Sequence, residues 1–142
     1  MTIKQIKQWF ELAKPNPTEE DVSAQVGVHF SEVGEMVEAI GLGAGGAFRE
    51  LMSLEEHYLR KRCVVTTRDD EELLDSLCDQ IVTAIGVAHM KGYDIEGALQ
   101  EVARSNDSKF VDGKPLFNEH GKILKGPNYS KPNLKPFIKV QS

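Results

Sequence analysis

Two short runs carry residue types suited to divalent-cation chemistry. The first places Glu32, Glu35 and Glu38 at steps of three; the second places Glu72, Asp75 and Asp79 at i, i+3 and i+7. On a helix a step of three turns back by about 60°, so Glu32 and Glu35 are neighbours on one face and Glu38 drifts round. The second trio spans only about 60° of arc. That arc borders an apolar stripe of Leu74, Leu77, Ile81 and Ile85, which predicts carboxylates at the inner edge of the helix rather than in solvent. Like charges stacked this way repel, unless a cation sits between them. Hard ions such as Mg²⁺ prefer carboxylate oxygen and retain water. Two acidic pairs on two helices therefore form a rational cage, with Glu32, Glu35, Glu72 and Asp75 as ligands and Asp79 as an alternate. Gln25, His29 and Glu32 make an i, i+4, i+7 stripe, on which Gln25 and His29 are candidates to reach a ligand held by Glu32; the competing reading of His29 is a lone surface or core histidine. The competing reading of all these carboxylates is a set of solvated acidic faces.

Other chemistries lack their residues. A di-iron bundle wants Glu-x-x-His, and no glutamate here has histidine three residues later. HExxH is absent, and Gly121-Lys122 is followed by Ile123, so there is no phosphate loop. Residues 41–46, Gly-Leu-Gly-Ala-Gly-Gly, spell a dinucleotide fingerprint but follow a charged helix instead of a strand. They read as a hinge between helices. Cys63 and Cys78 form no metal or disulfide pattern, and Cys78 is expected in the core.

The elements that must position the carboxylates follow from spacing. Of the 142 residues, 40% are hydrophobic, enough for one globular domain. Helices are predicted over 3–13 with Thr2 as cap, over about 22 residues from Thr18 to Gly41, and over 47–62. A fourth runs from Asp69 or Asp70 to Lys91, stopped by Gly92, and a shorter fifth from Asp94 to near Ser105. Residues 63–67, short and β-branched, read as an extended link, with a strand as the alternative. The fold class is all-α, a bundle of four to five helices. Beyond Asn106 the helical periodicity vanishes and four of the six prolines appear. Residues 107–142 carry a local charge of +4 inside a chain of net charge −5, which leaves an acidic body over residues 1–106 and a basic arm of the same domain. A net negative chain argues against binding a nucleic-acid polymer. No run of 18 apolar residues exists to span a membrane, and the first residues do not read as a signal peptide.

The two acidic motifs and the arm together resemble the all-α nucleoside triphosphate pyrophosphohydrolases, the superfamily of MazG, dimeric dUTPases and phosphoribosyl-ATP pyrophosphohydrolase. Ser31-Glu-Val-Gly-Glu-Met36 resembles the EExxE helix of that superfamily and Glu72-Leu-Leu-Asp75 its ExxD helix. Glu101-Val-Ala-Arg-Ser-Asn-Asp-Ser-Lys109, Asp112-Gly-Lys-Pro115 and Gly121-Lys-Ile-Leu-Lys-Gly-Pro-Asn-Tyr129 resemble a MazG-like branch common in phages and bacteria. The likeness covers roughly residues 20–135, and the arm is its most specific part. Two features depart from the pattern. Ser31 stands where the first glutamate of the doublet is expected, and the gap between the acidic motifs is longer than in compact members.

The resemblance implies a MazG-like bundle and a Mg²⁺-dependent hydrolase, with Mn²⁺ as an alternative cofactor. Its reaction is (d)NTP plus water to (d)NMP and pyrophosphate, by metal-activated water attack on the α-phosphate. Glu32 and Glu35 take the catalytic role. Lys109, Lys122 and Lys125, with Asn106 and Asn128, are suitable phosphate donors, and Tyr129 can stack on a base or donate its hydroxyl. The arm is expected to fold over the carboxylates as a lid. A homodimer or homotetramer in the cytoplasm, the host's if the chain is phage-encoded, is implied as well. Two other functions compete: a non-catalytic helical interaction or regulatory module, and a phosphoribosyl-ATP pyrophosphohydrolase.

Overall fold

A computed structural model describes residues 3–41, 46–60, 63–119 and 121–138. Among these residues the regular structure is five α-helices: α1 (Ile3–Ala13), α2 (Glu19–Ala39), α3 (Gly46–Leu59), α4 (Asp70–Met90) and α5 (Ile95–Asp107). A single 3-10 turn follows at Lys135–Phe137. The described residues contain isolated β-bridges but no strand, so the chain is all-α as expected.

The helix starts follow from local chemistry. Thr18 and Asp21 form a capping box: Asp21 N donates to Thr18 Oγ1 at 3.2 Å and Thr18 N donates to Asp21 Oδ2 at 3.0 Å. Asp69 caps α4 by accepting from Glu71 N and Glu72 N at 3.0 and 3.2 Å. Asp94 caps α5 through Gly97 N at 3.0 Å. Gly41 and Gly92 take φ of +81° and +72° just beyond α2 and α4, the conformation that ends helices at little cost only for glycine. Helix α5 continues two residues past the expected Ser105. The Thr2 cap and residues 42–45 of the hinge lie outside the described residues.

The chain divides into two compact units, and the arm contributes residues to both. One comprises residues 16–66 and 117–124. Here α2 and α3 pack as a helical hairpin, and the contact face of α2 is small: Ser23, Ala24, Gly27, Ser31 and Gly34 are its buried residues. Small side chains let the two backbones approach closely, so that a methyl at Gly27 would stand 3.1 Å from Glu55 O and 3.2 Å from Leu59 N. Phe30 stacks on Tyr58 at 5.8 Å beside this seam. Ser23, 1% exposed, accepts from Val65 N at 3.0 Å and so pins the link after α3. Residues 117–123 close a small loop, with Asn118 N donating to Lys122 O at 2.9 Å.

The other unit comprises residues 1–15, 67–116 and 125–142. In it α5 packs against α1, α4 and the 3-10 turn. Trp9 stacks on Phe110 at 5.3 Å and meets Phe10 edge-on at 5.1 Å. Ala103 and Ser105 of α5 are buried.

Helix α4 departs from expectation. Leu74, Leu77, Ile81 and Ile85, expected to face a core, are 64, 43, 51 and 43% exposed, and Ala88 is the buried residue of this helix. Cys78 is exposed too, not a core residue. Amphipathic spacing states which face a helix would bury, not whether the same chain supplies the covering surface. No helix among the described residues is long and apolar enough to cross a membrane.

Candidate functional site

Glu32 and Glu35 lie on the middle of α2, in the hairpin unit, and both side chains are exposed. They point away from the small-residue face because 27, 31 and 34 occupy that face and 32 and 35 are displaced from it by about 100°. This explains Ser31. Its side chain is only 8% exposed, on the face turned to α3, so a glutamate there would have to bury its charge. Position 31 serves packing, and Glu32 and Glu35 are the neighbouring carboxylates on the exposed side of α2 next to it. Gln25 and His29 are exposed on the same helix, and Lys122 is exposed in the same unit.

Glu72, Asp75 and Asp79 lie on α4, in the other unit, and all three are exposed. The expected inner-edge position fails because the stripe they border is itself exposed. Among the described residues none of the five carboxylates forms an ion pair, and no three His, Cys, Asp or Glu side chains gather closely enough to hold a metal ion. Each helix therefore offers a pair of neighbouring carboxylates without countercharge.

The arm is held by specific bonds. Ser130 N donates to Ser108 Oγ at 2.9 Å, Asn133 N donates to Glu101 Oε1 at 2.8 Å, and Asp94 N donates to Phe137 O at 2.9 Å. Gly97 lies directly under the Phe137 ring, where a Cβ would meet Cε1 at 2.6 Å. Gly126 is buried against Val111 and the Lys109 carbonyl. Of the expected phosphate donors, Asn106, Lys109, Lys125, Asn128 and Tyr129 all belong to this unit. Lys109 and Tyr129 are half-buried, Lys125 and Asn128 exposed. The Lys125 ammonium sits 4.9 Å from the centre of the Tyr129 ring, a cation–π contact that draws these two residues together.

Spacing did not single out Glu101 and Arg104. Arg104 donates through Nε and Nη2 to both Glu101 oxygens at 2.8 Å, and its Nη2 also reaches Lys131 O at 3.4 Å. The Arg104 hydrogen bond and then the Asn133 N–H hold the Glu101 carboxyl down at about 2, against an ordinary 4.5. A lowered carboxyl stabilises the folded arm above the ordinary value and loses that contribution as pH falls through the lowered one. The Asn133 amide resonance is therefore expected to titrate with a midpoint near 2 rather than 4.5, and to stop titrating in Glu101→Gln. A midpoint at the ordinary carboxylate value would show the strap to be absent in solution.

A cleft of about 100 Å³ lies between α1 and α5, lined by Ile6, Trp9, Phe10, Leu99 and Val102, with Asn106 and Asp107 at its edge. Trp9 Nε1 is buried without a hydrogen-bond partner among the described residues.

No known family model, curated protein or solved structure matches this sequence.

Proposed function

We propose that the chain is a Mg²⁺-dependent nucleoside triphosphate pyrophosphohydrolase, producing a nucleoside monophosphate and pyrophosphate. The observation that carries this reading is the pair of exposed, unpaired carboxylate ladders, Glu32/Glu35 on α2 and Glu72/Asp75/Asp79 on α4. Mg²⁺ characteristically takes one or two protein carboxylates and completes its shell with waters and substrate phosphates. A pair on each helix supplies that number, and the shortage of a third ligand suits an ion held jointly by protein and triphosphate. The likeness of the acidic motifs and the arm to the pyrophosphohydrolases points the same way.

Each residue has a definable task in this reaction. Glu32 and Glu35 would hold the cation, which when bound would supply an activated water and neutralise phosphate charge; the exposed α4 carboxylates are a second pair of the same kind. A triphosphate brings about four negative charges to an acidic surface, which cations must bridge. The arm lysines supply further positive charge to the phosphates.

The test is pyrophosphate release from a panel of common NTPs and dNTPs with Mg²⁺ or Mn²⁺. Release that stops on chelation supports the proposal. A folded protein that releases none from any member overturns it and leaves the interaction-module reading. The arm has its own test. Lys122→Ala and Lys125→Ala are each expected to raise KM by roughly 10–100-fold, as loss of a charge-assisted phosphate contact of about 1.5–3 kcal/mol would, and to lower kcat less. Unchanged KM in both variants would make these lysines bystanders.

A further inference from the structure

One side of α5 grips the arm in order. Ser108, Arg104, Glu101 and Gly97 follow one another at steps of four, three and four, so they share a face of the helix. Against them lie, in turn, Ser130 N, Lys131 O, Asn133 N and the Phe137 ring. The arm therefore runs antiparallel to α5 over residues 130–137. The first three contacts are to backbone atoms, so they fix the path of the arm whatever its side chains at those positions.

Glu101 is the hub of this grip. Its Oε1 accepts from both Arg104 Nη2 and Asn133 N at 2.8 Å, and its Oε2 accepts from Arg104 Nε at 2.8 Å. An ordinary ion pair at i, i+3 joins two side chains of one helix and is worth little. This one is bidentate, its Glu101 side chain is only 19% exposed, and it also takes a backbone N–H from 32 residues further along the chain.

What the grip holds in place is a turn that carries a cation. Tyr129 N donates to Gly126 O at 3.0 Å and closes residues 126–129. Gly126 is packed so tightly that a Cβ would meet Val111 Cγ2 at 2.7 Å and Lys109 O at 2.8 Å. At the other end Ser130, the residue after Tyr129, is tied to Ser108. The turn is thus anchored on both sides, and the Lys125 ammonium lies 4.9 Å from the centre of the Tyr129 ring.

We propose that Glu101 is a positioning residue: through Arg104 and the Asn133 N–H it fixes the arm so that Tyr129 seats the Lys125 ammonium for the phosphates of the substrate. The substrate step rests on the pyrophosphohydrolase reading; the seating of Lys125 by Glu101 does not. The two possible roles of this carboxylate predict opposite signs. Acting only as a charge, Glu101 repels a polyanion, and its removal lowers KM. Acting as a positioning residue, it keeps Lys125 ordered before substrate arrives, and its removal raises KM because the cation must then be ordered on binding.

The test is Glu101→Ala in the full chain, since alanine is the best helix former and keeps α5. Arg104→Lys is the second variant: it keeps the charge and loses the fork. The first readout needs no activity. In the parent, the Tyr129 ring shifts the Lys125 ε-methylene proton resonances upfield. Both variants should lose much of that shift, and exchange of the Asn133 amide proton should quicken about tenfold or more. A Lys125 shift that is missing from the parent, or that both variants retain, overturns the seating. The second readout is kinetic. Glu101→Ala should raise KM for the nucleoside triphosphate about tenfold and lower kcat less. A KM that falls or stays constant overturns the positioning role in substrate binding. A parent that releases no pyrophosphate refutes the nucleotide reading and the substrate step with it, whereas the Lys125 resonances still decide the seating.

Discussion

Glu35→Gln is expected to reduce pyrophosphate release by more than about 100-fold while leaving the fold intact. The magnitude follows from its position: a group one step removed from a metal ligand already costs roughly 10–100-fold, and Glu35 is placed as a ligand. The stability side distinguishes this from simple damage. Glu35 stands between Glu32 and Glu38 at i−3 and i+3, so neutralising it removes two like-charge neighbours, each unfavourable by a few tenths of a kcal/mol in an isolated helix. The metal-free variant should melt at the same temperature as the parent or slightly above it. A variant with full activity contradicts the assignment, and so does one that loses activity only because it unfolds. The pairing of the two measurements, hydrolysis and metal-free melting, makes either outcome visible.

The largest expected loss of stability is at Gly27. Its missing side chain is what lets α2 approach α3, and a Cβ there meets Leu59 Cγ at 3.0 Å and two backbone atoms just beyond. Backbone cannot swing aside as a side-chain tip can, so a large residue must push the hairpin apart. Gly27→Leu should cost about 3 kcal/mol or more, at the upper end of measured overpacking penalties. Gly34 is the control on the same face. Its Cβ would meet the Met52 methyl, the far end of a flexible side chain. Gly34→Ala should be within about 1 kcal/mol of the parent, because rearrangement of Met52 is offset by the better helix propensity of alanine. Chemical denaturation of both variants checks the pair. Equal losses at the two positions would mean that the hairpin is not packed on this seam.

Much of this was legible from residue spacing because helix ends are local events. Thr18, Asp69 and Asp94 announce their helices by side chains that satisfy the first free N–H groups, and Gly41 and Gly92 announce the stops by a conformation other residues resist. Burial was less legible because it depends on a partner. Of the apolar positions of α2, Val22 and Met36 remain 44 and 48% exposed and Val26, Phe30, Val33 and Val37 are only half-buried, while Ser23, Gly27 and Ser31 are buried. A pattern search weighted to large apolar residues misses a seam built by the absence of side chains. The same limit applies to α4, where the stripe is regular but its residues are exposed. At the candidate site, spacing located each carboxylate pair on its helix correctly, since 3.6 residues per turn fixes which residues are neighbours. That Ser31 is given over to packing on the α3 side is a fact of the seam, which the spacing of charges cannot reveal. The strap of Glu101, Arg104 and Asn133 joins residues about thirty positions apart, beyond the reach of any local rule.

Trp9, packed flat on Phe110 beside α5, is the only tryptophan in the chain. It belongs to the unit that contains α4 and most of the arm; the hairpin unit has Tyr58 stacked on Phe30 and no indole. The molecule thus contains its own optical label, confined to one of its two units. Emission excited at the red edge of indole absorption follows that unit alone, whereas far-ultraviolet dichroism averages over all five helices. Superposition of the two melting curves would mean that both units unfold as one cooperative body. A gap between them would measure how far the stability of the α2–α3 hairpin is its own, and no extrinsic dye or engineered chromophore is needed to see it.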